Sequence, residues 1–436
     1  MKRFYSIVLT LAIIICFSGS AIANSYYVAT PASGGDDSNP GTSTQPWATL
    51  QHAVDTIFPG DTILVKTGTY VGFRAESSGL PGAVKTIKAD VGANALVNVP
   101  GPFNRHSSNI EFENFDATVK YWVIDGFEVA DSPKYGIDLR DTDYITVQNC
   151  DVHDSAVTGI FTAFTYHPLI QNNESAFNGE HGIYQSNSGD FPTIVGNYLH
   201  HNFAAGIHMN GDIRFKPGDG IISYGIIENN IILENGLGGG SGINMDGVSD
   251  SIVQNNLLYD NHASGISLYA IDGAEGSSRN KVYNNTIVMA PGSRWCINIP
   301  KSAKGRPNPV GNKIKNNILY TPSTTKGSVL IYSSTASGFE SDYNVVVNRF
   351  SASGGKRIIT LAQWKALSYD LHSIISTPND LFVNPNNDDY HLKTGSPAIN
   401  AGTSLAEVTD DLDYLDGRFR PQGGAYDIGC YEYEAH

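Results

Sequence analysis

Ile170-Gln171-Asn172-Asn173 is the first copy of a short motif that decides the fold of this sequence. An apolar residue stands three positions before an Asn in every later copy, and these copies are Ile194-Val-Gly-Asn197, Ile227-Glu-Asn-Asn230, Val253-Gln-Asn-Asn256, Val282-Tyr-Asn-Asn285 and Ile314-Lys-Asn-Asn317. A second column of Gly-Ile pairs keeps register with the first, at Gly136-Ile137, Gly159-Ile160, Gly182-Ile183, Gly206-Ile207, Gly242-Ile243 and Gly265-Ile266. Several of these glycines lie 23 or 24 residues apart, which is the period of a structural repeat and not of an α-helix or a heptad.

A repeat of this length matches one coil of three short strands with their turns, because each strand residue advances the chain by roughly 3.3 Å. Asn suits the turns, since it tolerates the left-handed backbone conformation and its side chain can hydrogen-bond the equivalent Asn one coil away. The alternative solenoid, a leucine-rich repeat, lacks support, since no Leu-x-x-Leu-x-Leu pattern recurs. We therefore predict an all-β chain that folds as a right-handed parallel β-helix, which is a solenoid.

The open ends of such a solenoid need caps, because they would otherwise expose a strand edge and the core. Residues 49–57 have an apolar face and predict an N-terminal capping helix, which Pro59-Gly60 ends. Residues 61–70 then alternate as the first strand. We predict a β-helix with its N-terminal cap over residues 24–348. Residues 349–436 form a loop-rich C-terminal cap that includes a short helix at 361–371.

The first 23 residues have the pattern of a secretory signal peptide. Lys2 and Arg3 precede an apolar run at 7–17, and Ala21-Ile22-Ala23 forms a cleavage site of small residues. The apolar run is too short to span a bilayer. We therefore expect a secreted or periplasmic protein without a membrane anchor after cleavage.

The remaining bulk properties restrict the partners. The mature chain retains three cysteines, Cys150, Cys296 and Cys430, so no complete disulfide framework is encoded and no zinc-site spacing occurs. The net charge is −15, which disfavours nucleic acid and anionic membranes. An acidic polysaccharide would need local Lys or Arg residues, or a bridging Ca²⁺, where it binds.

The Gly-Ile register defines an outer face. Because alternate residues of a strand point to opposite sides, the second and fourth residues after each Gly face solvent if the Ile points inward. With adjacent coils about 4.8 Å apart, this places one compact polar patch on the surface. The residues of the patch are Tyr184, His208, Asn244, Asn210, Asp246 and Tyr269.

The patch has the groups that β-elimination of a uronate needs. One group removes the proton at C5, another protonates the leaving oxygen, and a third neutralises the carboxylate. We predict His208 as the base and Tyr184 as the acid, or Tyr184 in both roles. Asn210 or Asn244 would polarise the carboxylate.

Two insertions flank the patch and predict groove walls that carry binding residues. The intervals from Gly206 to Gly242 and from Gly265 to Cys296 span 36 and 31 residues. We predict that substrate is bound by residues of the patch, of the insertions and of nearby basic segments, and these residues are Arg140, Asp246, Tyr269, Arg214, Lys216 and Lys301. The sequence indicates no definite cofactor, but Asp212 and Asp246 offer oxygen ligands of the kind that Ca²⁺ accepts.

The N-terminal and C-terminal segments resemble a known class of proteins. Tyr27-Val-Ala, the turn 34–41, Pro46-Trp47-Ala-Thr-Leu50 and Pro59-Gly60-Asp61-Thr62 are similar to the N-terminal region of secreted β-helix proteins related to family nine pectate lyases. Related C-terminal segments are Asp389-Tyr-His-Leu, Gly395-Ser-Pro-Ala-Ile-Asn-Ala-Gly402 and Asp427-Ile-Gly-Cys-Tyr-Glu432. The resemblance implies the β-helix and suggests lyase chemistry. The catalytic pattern of that family, a Ca²⁺ cluster of closely spaced Asp residues with a Lys base, has no clear counterpart in this sequence.

Three classes of function remain open. The first is a lyase acting on a uronate-containing polysaccharide, or a uronate epimerase that uses the same proton abstraction. The second is a glycoside hydrolase, which requires two carboxylates across the scissile bond, and Asp246 with Asp212 or Asp272 could supply them. The third is a non-catalytic glycan-binding or surface β-helix. In each case we expect a monomer with an acidic polysaccharide as partner.

Overall fold

Three long parallel sheets build the protein in a computed structural model that describes residues 23–405, 412–413 and 415–434. Apart from Ala23, the predicted signal peptide lies outside the described residues. Each turn of the chain adds one strand to each sheet, so the sheets are named in the order in which the chain visits them within a coil. The predicted parallel β-helix is confirmed.

The first sheet has twelve strands, which are Ser25–Val28, Thr62–Val65, Lys85–Ala89, Val119–Asp125, Thr142–Gln148, Leu169–Gln171, Thr193–Val195, Ile226–Glu228, Ile252–Gln254, Lys281–Tyr283, Lys313–Lys315 and Glu340–Asp342. The second sheet also has twelve, which are Gly68–Val71, Ala95–Val99, Phe127–Ala130, Asp151–His153, Glu174–Ala176, Tyr198–His200, Ile231–Leu233, Leu257–Tyr259, Thr286–Val288, Ile318–Tyr320, Val345–Val346 and Ile374–Ile375. The third sheet has eleven, which are Phe73–Ala75, Ser108–Phe112, Tyr135–Arg140, Thr158–Ala163, Ile183–Ser186, Ile207–Asn210, Ser241–Asp246, Ser264–Tyr269, Ile297–Asn298, Val329–Leu330 and Phe350–Ser351.

Two columns of asparagine side chains fix the turns of the solenoid. The amide of each member donates to the side-chain oxygen of the next, along Asn173, Asn197, Asn230, Asn256, Asn285, Asn317 and Asn344 and along Asn178, Asn202, Asn235 and Asn261. The sequence predicts that one Asn both adopts the left-handed conformation and bonds to the next coil, but the structure divides these two tasks between neighbouring residues. The left-handed conformation falls on the residue before the ladder, as at Asn172 and Asn229, with φ of 53° and 58°.

The N-terminal cap is the helix Leu50–Thr56, whose first turn is held by the Thr49 side chain accepting from the His52 amide at 3.2 Å. The predicted first strand at 61–70 is wrong in two respects. Ser25–Val28 precedes it and pairs with Thr62–Val65, and a turn divides the segment into two strands that belong to different sheets.

The C-terminal region folds back over the outer face of the second sheet. Helices Leu361–Lys365 and Pro378–Leu381 lead into an antiparallel pair, Phe382–Asn384 with Asp389–Leu392. A second short antiparallel pair joins Leu412–Asp413 to Arg418–Phe419. Side chains of this region bury outward apolar residues of the second sheet, in a cluster that contains Leu233, Leu257, Tyr259, Val288, Leu381, Phe382, Tyr390, Leu392, Ile428 and Tyr431. Among the described residues, this cluster contains none from the third sheet. No helix among the described residues is long and apolar enough to cross a membrane.

Candidate functional site

The floor of the candidate site is the outer face of the third sheet. Its strands pair in the register that the Gly-Ile column predicts, so that Tyr184, His208 and Asn244 are successive neighbours, as are Asn210 and Asp246. The inward isoleucines of the same strands are fully buried. The predicted residues therefore lie side by side on this face, although Asn210, Asn244 and Asp246 are buried there.

Tyr184 and His208 form the centre of this floor. Their rings stack with centroids 4.6 Å apart and an interplanar angle of 4°. His181, which precedes the Tyr184 strand, places its Nε2 3.0 Å from Nδ1 of His208. His181 itself is buried. Tyrosine and histidine thus form one aromatic group on two adjacent coils.

Hydrogen bonds fix the protons of the two histidines. The Ala205 amide donates to Nδ1 of His181 at 3.1 Å, so a neutral His181 carries its proton on Nε2 and donates it to Nδ1 of His208. The proton of neutral His208 is then on Nε2, which is buried without a partner among the described residues. Burial lowers the pKa of His208 to about 4 and lowers that of His181 as well. Both imidazoles are therefore neutral at neutral pH, and the only lone pair of His208 is occupied.

The hydroxyl of Tyr184 is held by an amide. Asn210 donates from Nδ2 to Tyr184 Oη at 3.2 Å, while Oδ1 of Asn210 accepts from the Asp212 amide at 3.1 Å. Burial raises the pKa of Tyr184, and the hydrogen bonds from Asn210 and Ser186 oppose that shift. Asn210 is therefore placed to support the phenol oxygen, whereas the sequence argument had assigned it to a substrate carboxylate.

The carboxylate of Asp246 serves the backbone of a loop. It accepts hydrogen bonds from the amides of Ile271, Asp272 and Gly273 at 2.9, 3.1 and 2.9 Å. Its side chain is buried. Burial raises the pKa of Asp246, and these three amides oppose the shift. Asp246 thus anchors one wall of the groove and has little capacity left for a ligand.

The segments after the strands form this downstream wall, which comprises residues 211–220, 270–276 and 301–309. Backbone hydrogen bonds join them, including Ile213 to Asp272 at 3.1 Å and Ala303 to Ala270 at 2.7 Å. Lys216 and Lys301 lie on this wall and are exposed. The predicted role of the insertions as walls therefore agrees with their position.

Arg214 crosses the downstream wall between two carboxylates. Its Nε and Nη2 bond both oxygens of Asp212, at 2.8 and 2.7 Å, and Nη2 is also 3.2 Å from Asp272. Burial alone would raise the pKa of Asp212, but the hydrogen bonds from Arg214 outweigh it and lower that pKa. The three side chains together carry one net negative charge, so Arg214 is a poor receptor for another anion.

The segments before the strands, residues 236–240 and 290–294, form an upstream wall on the opposite side. Between the walls lies a pocket of about 260 Å³ on the coils that follow His208. Its polar lining includes Asn244, Ser267, Tyr269, Arg294 and Asn298. Burial, followed by the charge of Asp246, raises the pKa of the Tyr269 phenol. Tyr269 therefore presents a neutral hydroxyl group to the pocket.

Arg140 lies outside this pocket and away from Tyr184 and His208. It stands two strands before Tyr184, where its Nε is 3.0 Å from the buried carboxylate of Asp138 and its guanidinium lies 4.6 Å from the ring centroid of Phe161. Its charge is therefore already balanced, on a part of the floor covered by aromatic rings.

Comparison with known proteins agrees with the β-helix fold. The model of the family described as the Pel9A-like right-handed β-helix region matches residues 26–294 of the 436. The chain belongs to the Pel9A-like β-helix family. A comparison with curated proteins gives no sequence match.

Three solved structures share the fold of this Pel9A-like protein. The pectate lyase Pel9A is 19% identical with a TM-score of 0.63, and the alignment covers 95% of this chain and 98% of that one. A rhamnogalacturonan lyase is 16% identical at 0.53, with 74% and 87% covered. PfbA, a surface adhesin of Streptococcus pneumoniae, is 11% identical at 0.54, with 73% and 84% covered. At these identities the likeness concerns the fold alone.

The Ca²⁺ suggested for Asp212 and Asp246 does not fit this Pel9A-like chain. Arg214 holds both oxygens of Asp212, and backbone amides hold those of Asp246. The described residues do contain one group with metal-ligand geometry, His106 with Glu111 and Glu113. There too a positively charged side chain already pairs with a carboxylate, because Arg74 Nε lies 3.4 Å from Glu111.

Two residues of the site are not among the predicted site residues. His181 stands directly before the Gly182 column, and this position places it on the upstream side of the patch. Arg294 lies near the end of the insertion between Gly265 and Cys296, where the repeat does not predict on which face a side chain lies. Only the length of that insertion indicated that it could carry binding residues.

Proposed function

We propose that this Pel9A-like protein is a polysaccharide lyase that cleaves a uronate-containing glycan by β-elimination, with Tyr184 as the proton-transfer residue. The supporting observation is the phenol oxygen of Tyr184, which Asn210 holds on the floor of the open groove. His208 is less suitable as the base, because the His181 proton occupies its lone pair. Of the two assignments that the sequence left open, we therefore favour Tyr184 in both roles.

The proposed reaction conserves its proton within each turnover. The Tyr184 phenolate removes the C5 proton of a uronate, and the electron pair of that bond forms the C4–C5 double bond. The bond from C4 to the glycosidic oxygen breaks, and the phenol gives its proton to the leaving oxygen. The Asn210 amide stabilises the phenolate before and after the step, and stacking on His208 orients the ring.

Neighbouring amides complete the proposed site. Asn244 follows His208 on the next strand and lines the pocket, so its amide can polarise the carboxylate of the reacting sugar. A polarised carboxylate makes the C5 proton more acidic, which eases its removal. An epimerase would share this first step and differ only in returning a proton to C5.

The positions of the acidic residues argue against glycoside hydrolysis. A pair of free carboxylates would be needed, whereas Asp212 is bound to Arg214 and Asp246 to three backbone amides. This arrangement favours proton transfer by Tyr184.

We further propose that the protein acts outside the cytoplasm, secreted or in the periplasm, on an acidic polysaccharide. The apolar run at the start of the sequence and the polysaccharide lyases among the fold neighbours support this proposal. A monomeric state stays a prediction.

The test is a product analysis on a panel of alginate, pectate and glycosaminoglycans, with and without Ca²⁺. A lyase generates the ultraviolet absorbance of an unsaturated uronate together with new reducing ends. Reducing ends without that absorbance would indicate hydrolysis, and inverted C5 centres without chain cleavage would indicate an epimerase. Binding without any turnover would overturn the proposal in favour of a glycan-binding β-helix.

A further inference from the structure

A second group in the groove has the chemistry of an anion receptor. Arg294, on the upstream wall, lines the pocket that also contains Asn244, Ser267, Tyr269 and Asn298. It is exposed, and it forms no ion pair with any residue that the structure describes. Its backbone amide is fixed by donation to the Ala263 carbonyl at 2.7 Å. The backbone at Arg294 is thus fixed, while its guanidinium is left without a carboxylate partner among the described residues.

Arg294 differs from Arg214 in its neighbours. Arg214 lies between the carboxylates of Asp212 and Asp272, whereas Arg294 pairs with no carboxylate in the part of the chain that the structure describes. In a chain with a net charge of −15, an anionic glycan is repelled over most of the surface. A planar guanidinium without a carboxylate partner is suited to bidentate recognition of a sugar carboxylate.

The remaining lining fits a pyranose ring. Ser267 accepts hydrogen bonds from Ser241 at 2.8 Å and from Asn298 at 3.3 Å, which orients this hydroxyl on the floor. Tyr269 adds a neutral phenol and an aromatic edge. Such a combination of hydroxyl, amide and aromatic groups is typical of sites that bind polar ligands in an oriented way.

From these observations we infer that the Arg294 pocket is a subsite for a second uronate residue, and that the protein requires a run of carboxylate-bearing sugars. Ser267, on the floor of the pocket, stands three strands from Tyr184, which at ~4.8 Å per strand is roughly 14 Å. The sugar bound by Arg294 is therefore a different one from the sugar that Tyr184 deprotonates. The inference takes its substrate class, an acidic glycan, from the proposed function, but it concerns binding and not cleavage.

The test measures binding in the Tyr184→Phe background, so that it does not depend on turnover. Calorimetry compares tetragalacturonate and tetramannuronate with their carboxyl-reduced, neutral counterparts. The expected result is that one acidic tetramer binds more tightly than its neutral form. Arg294→Gln should then weaken binding of the acidic tetramer roughly 10- to 100-fold, as for loss of a hydrogen-bonded charge pair, and leave the neutral one unchanged.

Arg357→Gln is the matched control, because Arg357 is likewise exposed but lines a separate pocket, beside the last strand of the third sheet. It should leave both affinities unchanged. Equal affinity for acidic and neutral tetramers, or an Arg294→Gln variant that still prefers the acidic one, would overturn the inference. Tight acidic binding that depends on Arg294 but is never followed by cleavage in the wild-type protein would instead refute the lyase proposal and leave the subsite standing.

Discussion

Replacing one rung of the asparagine ladder tests how the repeat stabilises the solenoid. Asn230 lies in the middle of the longer column and is fully buried. Its oxygen accepts from the backbone amide and the side chain of Asn197, both at 2.9 Å. Its amide donates to the Ile194 carbonyl at 3.0 Å and to Asn256 at 2.9 Å. Asn230→Ala removes all of these hydrogen bonds.

The loss can be estimated from the groups left without partners. Of the groups that bond to the Asn230 side chain, only the Asn197 backbone amide is left without a partner among the described residues. The Ile194 carbonyl lies in a strand that is paired on both sides, and the side chains of Asn197 and Asn256 keep hydrogen bonds to the Ile170 carbonyl and from the Asn230 backbone amide. Because an unsatisfied buried polar group costs about 1–3 kcal/mol, we expect Asn230→Ala to reduce the free energy of unfolding by roughly 1–3 kcal/mol.

The preceding residue supplies the control. Asn229 is also buried, but its side-chain atoms have no hydrogen-bond partner among the described residues, and its φ of 58° suits glycine. Asn229→Gly should therefore change the stability by less than about 1 kcal/mol. Urea unfolding followed by circular dichroism measures both variants, with the slope checked for constancy. If the two variants unfold at the same urea concentration, the ladder does not stabilise the fold as we argue.

Three further outcomes follow from buried titratable groups. Burial, opposed by Arg140, raises the pKa of Asp138 to about 6. Because the folded state holds this proton more tightly than the unfolded state, ionisation of Asp138 lowers the stability as pH rises from about 4 to 6. Asp138→Asn should therefore raise the melting temperature at neutral pH but not below about pH 4. Burial also raises the pKa of the Cys150 and Cys296 thiols, and a thiol reagent should label neither in the folded protein while labelling both in urea. Because Tyr184 must be a phenolate to accept the C5 proton and burial raises its pKa, kcat/KM for cleavage should increase steadily from neutral to alkaline pH, and a maximum near pH 6 would contradict that role.

The repetitive part of the molecule could be predicted from sequence because it obeys one local rule. Each Gly-Ile pair marks an inward Ile, and the alternation of a strand then fixes which side chains share the outer face. Tyr184, His208 and Asn244 consequently occupy the predicted neighbouring positions. The asparagine positions likewise follow from what a repeated turn requires of its buried amides.

The inserted segments could not be predicted in the same way. Their side chains contact partners that the repeat does not specify, such as Asp212 with Arg214, or the Asp246 carboxylate with the amides of residues 271–273. Asp246 and Arg214 were predicted as substrate ligands from their position alone, whereas their hydrogen bonds fix the wall. For the same reason, the sequence does not show that Arg294 lines the pocket without a carboxylate partner among the described residues, because this depends on how the two walls fold.

The most direct test of the account compares two tyrosine variants on whichever polyuronate gives unsaturated product. Tyr184→Phe removes the phenol oxygen from the groove, and Tyr144→Phe removes one from an exposed ring that stacks on Tyr121 and His167 outside it. Initial rates of ultraviolet absorbance should fall by roughly 10²- to 10⁴-fold in the first variant and stay at the wild-type level in the second. Wild-type rates in Tyr184→Phe, with the fold intact by circular dichroism, would show that the groove around Tyr184 is not where the proton is transferred.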